Sequence, residues 1–114
     1  MKILIVQIAF LLLCLGMRVS HAQQFIPIWP DGSMPNSKGM HLKDSIANER
    51  VYQVGTPGMY AFFPSETENK GAAVLICPGG GYERLAYIIS GWQLAKWFNT
   101  IGINAFVLNY QVIW

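Results

Sequence analysis

The chain has 114 residues, 53 % of them hydrophobic and 12 % charged, with a net charge of +2. That excess is carried by Lys2 and Arg18, so residues 23–114 are neutral, and no lysine or arginine cluster makes up for it. A nucleic-acid partner is thereby excluded, since such binders present a basic patch or stripe.

Met1-Lys2 is a short positive segment, Ile3 to Gly16 is almost wholly apolar, and Ser20-His21-Ala22 sets small residues where a signal peptidase cuts. Residues 1–22 are therefore expected to be a secretory signal peptide, which places the protein outside the cytoplasm, secreted or periplasmic. The apolar run is shorter than the roughly 20 residues that cross a bilayer, so no stable membrane span is expected after cleavage. Cys14 follows Leu13 instead of the small residue of a lipid-attachment signal. With Cys77 and His41 as the cysteine and histidine of residues 23–114, neither a disulfide nor a metal or other cofactor site is expected.

Residues 23–49 are broken by Pro27, Pro30, Gly32, Pro35 and Gly39 and read as an irregular arm. Trp29-Pro30-Asp31-Gly32 has turn chemistry, with Asp31 accepting local backbone hydrogen bonds. Ile26 and Trp29 are expected to pin the arm, an aromatic anchor being a commoner use of tryptophan than sugar stacking. His41, between Met40 and Leu42, reads as structural.

Residues 50–114 read as one incomplete domain. Arg50 to Val54 and Met59 to Phe63 are β-prone runs around Gly55-Thr56-Pro57-Gly58, a pattern that predicts an antiparallel hairpin. Pro64 to Gly71 is a polar, solvated loop. Ala72 to Cys77 has the length and composition of a buried strand, which predicts a packed, inert thiol at Cys77.

Three glycines follow directly, in Cys77-Pro78-Gly79-Gly80-Gly81-Tyr82. Without a Cβ, such a turn exposes amide N–H groups to a ligand. A helix should come next, with Ser90 as its cap and Gln93 completing a capping box. Leu94, Trp97, Phe98 and Ile101 recur at helical spacing and are expected to lie on a sheet. Gly102 should end that helix in a left-handed cap. Ile103 to Tyr110 is a second apolar strand, so the segment from 72 to 110 reads as a right-handed strand-helix-strand unit.

A glycine turn between strand and helix cradles phosphate, forms an oxyanion hole, or is merely a tight surface turn. The phosphate reading fails on spacing: Gly79 and Gly81 fit a dinucleotide fingerprint, but Arg84 stands where its third glycine belongs. No Gly-Lys-Ser/Thr motif occurs either. The oxyanion reading fits the position of the turn, after two short strands and before the first helix.

Trp29-Pro30-Asp31-Gly32, Ile76-Cys77-Pro78-Gly79-Gly80-Gly81-Tyr82, Ala95-Lys96-Trp97-Phe98-Asn99 and the run Gly102 to Tyr110 together resemble secreted bacterial α/β-hydrolases of the acetylxylan esterase-like and feruloyl esterase-like kind. The resemblance implies an α/β fold: the N-terminal part of an α/β-hydrolase sheet, an antiparallel hairpin and then strand, helix, strand. It places strand 103–110 between the second strand and strand 72–77. It implies Gly80 and Gly81 as oxyanion-hole donors, Gly79 as the residue that permits the turn, Tyr82 as a lining residue, and an acylated polysaccharide or oligosaccharide as substrate. Pro78 stands where the commoner lipase motif has histidine, so support for the turn must come from elsewhere.

The catalytic triad is absent from this reading. No Gly-x-Ser-x-Gly occurs, Ser90 lacks the glycine two positions before it, and His41 precedes the turn, the wrong order. The triad is therefore expected beyond residue 114, and the chain alone is expected to be the inactive N-terminal portion of an esterase. The alternative is a small exported carbohydrate-binding module using Trp29, Trp92, Trp97 and Tyr82.

Overall fold

The computed structural model describes Met1 and residues 23–29, 34, 35 and 37–112. The expected signal peptide, beyond Met1, and Pro30, Asp31 and Gly32 of the arm's turn lie outside the described residues.

Four strands form one mixed sheet: β1 (Gln24–Pro27), β4 (Gly58–Phe62), β5 (Ala73–Ile76) and β6 (Asn104–Asn109), in the order β1-β4-β6-β5. β4 runs antiparallel to β1 and β6, with Gln24 opposite Ala61 and Ala61 opposite Phe106. β5 runs parallel to β6, Ala73 beside Asn104 and Ile76 beside Val107. A parallel pair needs a crossover, which helix α1 (Gln93–Thr100) supplies. The architecture is α/β at this level, and β6 lies between β4 and β5, as the resemblance implies.

Two expectations about the strands need correction. The arm is not wholly irregular, because β1 lies at one edge of the sheet, where Pro27 is tolerated. The predicted hairpin between the runs at 50 and 59 does not form either. Strand β3 (Arg50–Gln53) instead pairs with β2 (Ser45–Ala47), also from the arm. The reason is local. Asn48 and Glu49 both take left-handed φ, +48° and +59°, making the two-residue hairpin loop whose twist matches its strands. The Gly55–Gly58 link is held to the arm instead, Gly55 N–H donating to Asp44 Oδ1 at 2.6 Å.

The helix begins earlier than Ser90. A π-helical turn, Ile88–Trp92, leads into α1, and Trp92 N–H donates to Tyr87 O at 2.8 Å. Ser90 is inside this turn, its N–H donating to Ala86 O, so it caps nothing. The face laid on the sheet also differs from the predicted one. Gly91 and Ala95 are buried, whereas Leu94 and Ile101 are exposed and Trp97 is 54 % exposed. The smallest side chains decide this, because they let the helix backbone come closest to the strands. A Cβ on Gly91 would press on Val107 Cγ1 and Pro78. Of the predicted stripe, only Phe98 packs against the core.

That core consists of Phe62, Ile76, Ala95, Ala105 and Val107, with Tyr60, Val74, Trp92 and Phe98 against it. Trp92 meets the rings of Tyr60, Phe62 and Tyr87 edge-on at 5.5, 5.9 and 5.5 Å. It is a core residue, not a sugar platform. Asn99 Nδ2 donates to Phe62 O and Ile103 O, at 3.1 and 2.9 Å, tying the helix end to β4 and to the residue that precedes β6. Gly102 ends the helix with φ of +81°, as its composition predicts.

Cys77 is exposed, contrary to expectation. Side chains alternate along β5: Val74 and Ile76 face α1, so Ala73, Leu75 and Cys77 face the other way, where all three are exposed. A second core, Val51, Val54, Leu85 and Val112, packs with Tyr87 and Tyr110.

Candidate functional site

The glycine turn bridges the two cores. Ile76 of the first core ends β5, and Leu85 of the second follows nine residues later. Each end is tied down by backbone. Leu85 and Val51 exchange N–H to carbonyl bonds, at 2.7 and 3.0 Å, and Ala86 N–H donates to Gly79 O at 2.9 Å. Glu83 N–H closes a small turn on Gly80 O at 3.3 Å.

Each sequence-predicted site residue has a distinct place in this turn. Gly80 cannot carry a side chain, since a Cβ there would overlap the carbonyl of Arg84. Gly81 takes a φ of +65° with open space around the missing Cβ. Gly79 has neither restriction. Tyr82 also takes a φ of +65° and is 84 % exposed, its ring projecting into solvent. A left-handed tyrosine costs roughly 1 kcal/mol, so the turn imposes its conformation on the residue.

What the turn leaves open is a run of donors. The amides of Gly80, Gly81 and Tyr82 donate to no acceptor among the described residues. The carbonyls of Gly79 and Gly80 are held by Ala86 and Glu83, so the N–H groups of Gly80 and Gly81, in the same peptide planes, are presented on a fixed frame. Such a frame can receive a negative oxygen.

The turn is braced by Tyr110, just after β6. Its hydroxyl donates to Pro78 O at 2.6 Å. Pro78 itself is fully buried, with Gly91 over it. Burial, then Cys77 and Tyr82, raise the Tyr110 phenol above the ordinary tyrosine value, which keeps the hydroxyl a donor. Sequence reasoning did not assign Tyr110 this role. The missing histidine was the signal that something had to take it, but nothing local names a residue 32 positions away.

The remaining chemistry is not assembled around the turn. His41 is exposed in the arm and has no hydrogen-bonded serine or acid among the described residues. Among the described residues, two clefts lie elsewhere on the surface, and residues 79–82 line neither. One, about 600 Å³, lies between Phe62, Phe63, Glu66, Asn69 and Lys96. The other, about 540 Å³, lies between the arm and the segment after β6, and Tyr110 forms part of its wall.

Over 58 residues the chain is 38 % identical to an acetylxylan esterase of Xylanibacter ruminicola. The matched stretch is 51 % of this chain but 12 % of that esterase. No family model and no solved structure matches. The similarity is thus esterase-like and partial. Among the described residues, no helix is long and apolar enough to cross a membrane.

Proposed function

We propose that this chain supplies the oxyanion-hole turn of a serine ester hydrolase acting on acylated carbohydrate of the acetylxylan type, in a secreted or periplasmic setting. The observation that carries the reading is the pair of open amides at Gly80 and Gly81, on a turn held by Tyr110, Ala86 and Leu85. When a nucleophile adds to an ester carbonyl, the oxygen gains negative charge. Donors already aimed at that oxygen lower the barrier by roughly 3 kcal/mol each.

On this reading the mixed sheet is the first part of an α/β-hydrolase sheet, and the nucleophile, acid and histidine are not among these 114 residues. Gly80 and Gly81 donate, Gly79 permits the turn, and Tyr82 lines the site. The partial match to an acetylxylan esterase supports the reaction class.

A graft tests it. The stretch of the Xylanibacter ruminicola esterase that matches this chain is replaced by this chain's own residues, and hydrolysis of p-nitrophenyl acetate is measured. The graft should turn over, and replacing its Gly81 by glycolic acid, which puts an ester oxygen in place of the N–H and leaves the φ of +65° accessible, should lower kcat about 100-fold with the melting transition kept. A folded graft in which that ester-linked variant and its parent have equal kcat removes the oxyanion role.

A further inference from the structure

The sheet ends in β1 on one side and β5 on the other, and the two edges are finished differently. Along a strand, the C=O of one residue and the N–H of the next point to opposite sides, so residues alternately face a neighbour and face away. Just past β1, Ile28 N–H donates to Pro57 O, toward β4, which turns Pro27 outward. Proline has no N–H, so this rim lacks a donor where a further strand would need one.

β5 carries no such guard. Asn104 N–H donates to Ala72 O at 3.0 Å, so Ala73 and Leu75 present their N–H and C=O groups away from β6. Among the described residues nothing pairs with those groups. The strand, Ala73 to Ile76, contains no charge, glycine or proline. Ala73 is exposed, and Leu75 is 54 % exposed.

The chemistry of this rim names its occupant. Donors and acceptors at strand spacing are satisfied by the backbone of another strand, not by a helix, whose own groups are paired internally. An uncharged rim does not repel its own kind, and residues 23–114 carry no net charge to keep copies apart. A two-fold axis normal to the sheet lays one β5 antiparallel to another, with Ala73 beside Leu75 of the second copy, small against large at both ends of the pair. We propose that β5 is a self-association edge, through which two copies of this chain join their sheets into one. Pro27 closes the assembly, because both outer edges of the joined sheet are then β1. An edge of four residues buries less than the roughly 1,200 Å² of a standard interface, so the dimer is weak and concentration-dependent.

The proposal does not rest on the esterase reading, in which strands outside these 114 residues would take the same edge, so the test uses this chain alone. Sedimentation equilibrium from micromolar to millimolar concentration should show monomer and dimer and nothing larger. Leu75→Lys, which puts a charge on the edge of each copy, should weaken dimerisation about 100-fold. Trp97→Lys, an equal change of charge at an exposed position on α1, should leave it unchanged. Hydrogen exchange gives a second readout: dilution should speed exchange at Ala73 and Leu75, while Val74 and Ile76, bonded to β6, keep their protection. A chain with native circular dichroism that stays monomeric throughout overturns the proposal, as does a dimer that Leu75→Lys leaves intact. Growth beyond the dimer overturns the closure at Pro27. If Leu75→Lys does not fold, the exchange pattern of the parent decides, and equal rates at Ala73 and Leu75 across the dilution series overturn the edge.

Discussion

The two cores on either side of the glycine turn are held together by different means. The first, under α1, is made of regular elements: parallel β5 and β6, antiparallel β4, and a helix pressed on them through Gly91 and Ala95. The second joins Val51, Val54, Leu85 and Val112, three stretches far apart in sequence, with one two-residue backbone bridge between Val51 and Leu85. The turn depends on both. β5 delivers it, and the irregular core fixes where it goes next. An open donor frame thus needs one rigid side that any strand-helix unit can give and one side that only long-range contacts can give.

The comparison breaks most sharply at Leu85, which is completely buried. Leu85→Ala should cost about 3 kcal/mol, since it removes transfer energy and leaves a cavity where no regular element can close in. Chemical denaturation gives that number. Hydrogen exchange should show the amides of residues 83–86 losing protection before those of β6; simultaneous loss would mean that the two cores unfold as one.

Next in size is the contrast between neighbouring glycines. Gly80→Ala should destabilise by about 2 kcal/mol, because the added carbon meets backbone that cannot swing aside. Gly79→Ala should stay within about 0.5 kcal/mol, as nothing lies near its missing Cβ. Equal melting temperatures for the two variants would contradict the geometry of the turn.

Tyr110→Phe should cost about 1 kcal/mol by removing the hydroxyl from Pro78 O. The folded phenol titrates above the ordinary value of 10.0, so folding favours its protonated form. The stabilisation is accordingly complete below pH 10 and is lost only as the pH rises through the raised folded value. Stability measured from pH 6 to 9 should show a constant gap between the two proteins. A gap that closes within that range would assign the effect to another group.

The smallest effect sharpens the regular side. Trp97 is exposed on α1, so Trp97→Gln should change stability by no more than about 0.5 kcal/mol. A loss of several kcal/mol on thermal melting would restore the helix face that spacing alone predicts.

That helix is a good measure of how much was legible. Periodicity located it and Gly102 marked its end, but the apolar arc is wider than the buried one, and pattern cannot say which part is covered. Gly91 and Ala95 decide, and small residues carry little weight in a hydrophobic pattern. The hairpin shows the same limit. Both runs were recognisable as strands, yet Asn48-Glu49 carries no glycine, so the tighter loop that captured Arg50–Gln53 was not visible against Gly55–Gly58. At the site, the glycines announced themselves through composition, whereas Tyr110 became a support only when β6 brought it back beside β5.

By itself, then, the amino-acid order determined what is local: the apolar run of β5, the bare amides after it, the helical span, the left-handed stop at Gly102, and the absence of a serine elbow. Only the tertiary structure decided which strands pair, which helix face is covered, that Cys77 lies open, and which hydroxyl holds Pro78. The division follows from range. Backbone conformation answers to residues a few positions away, while pairing, burial and hydrogen-bond partners depend on groups that meet only after the chain has closed loops of 30 residues or more, as Tyr110 and Pro78 do across 32.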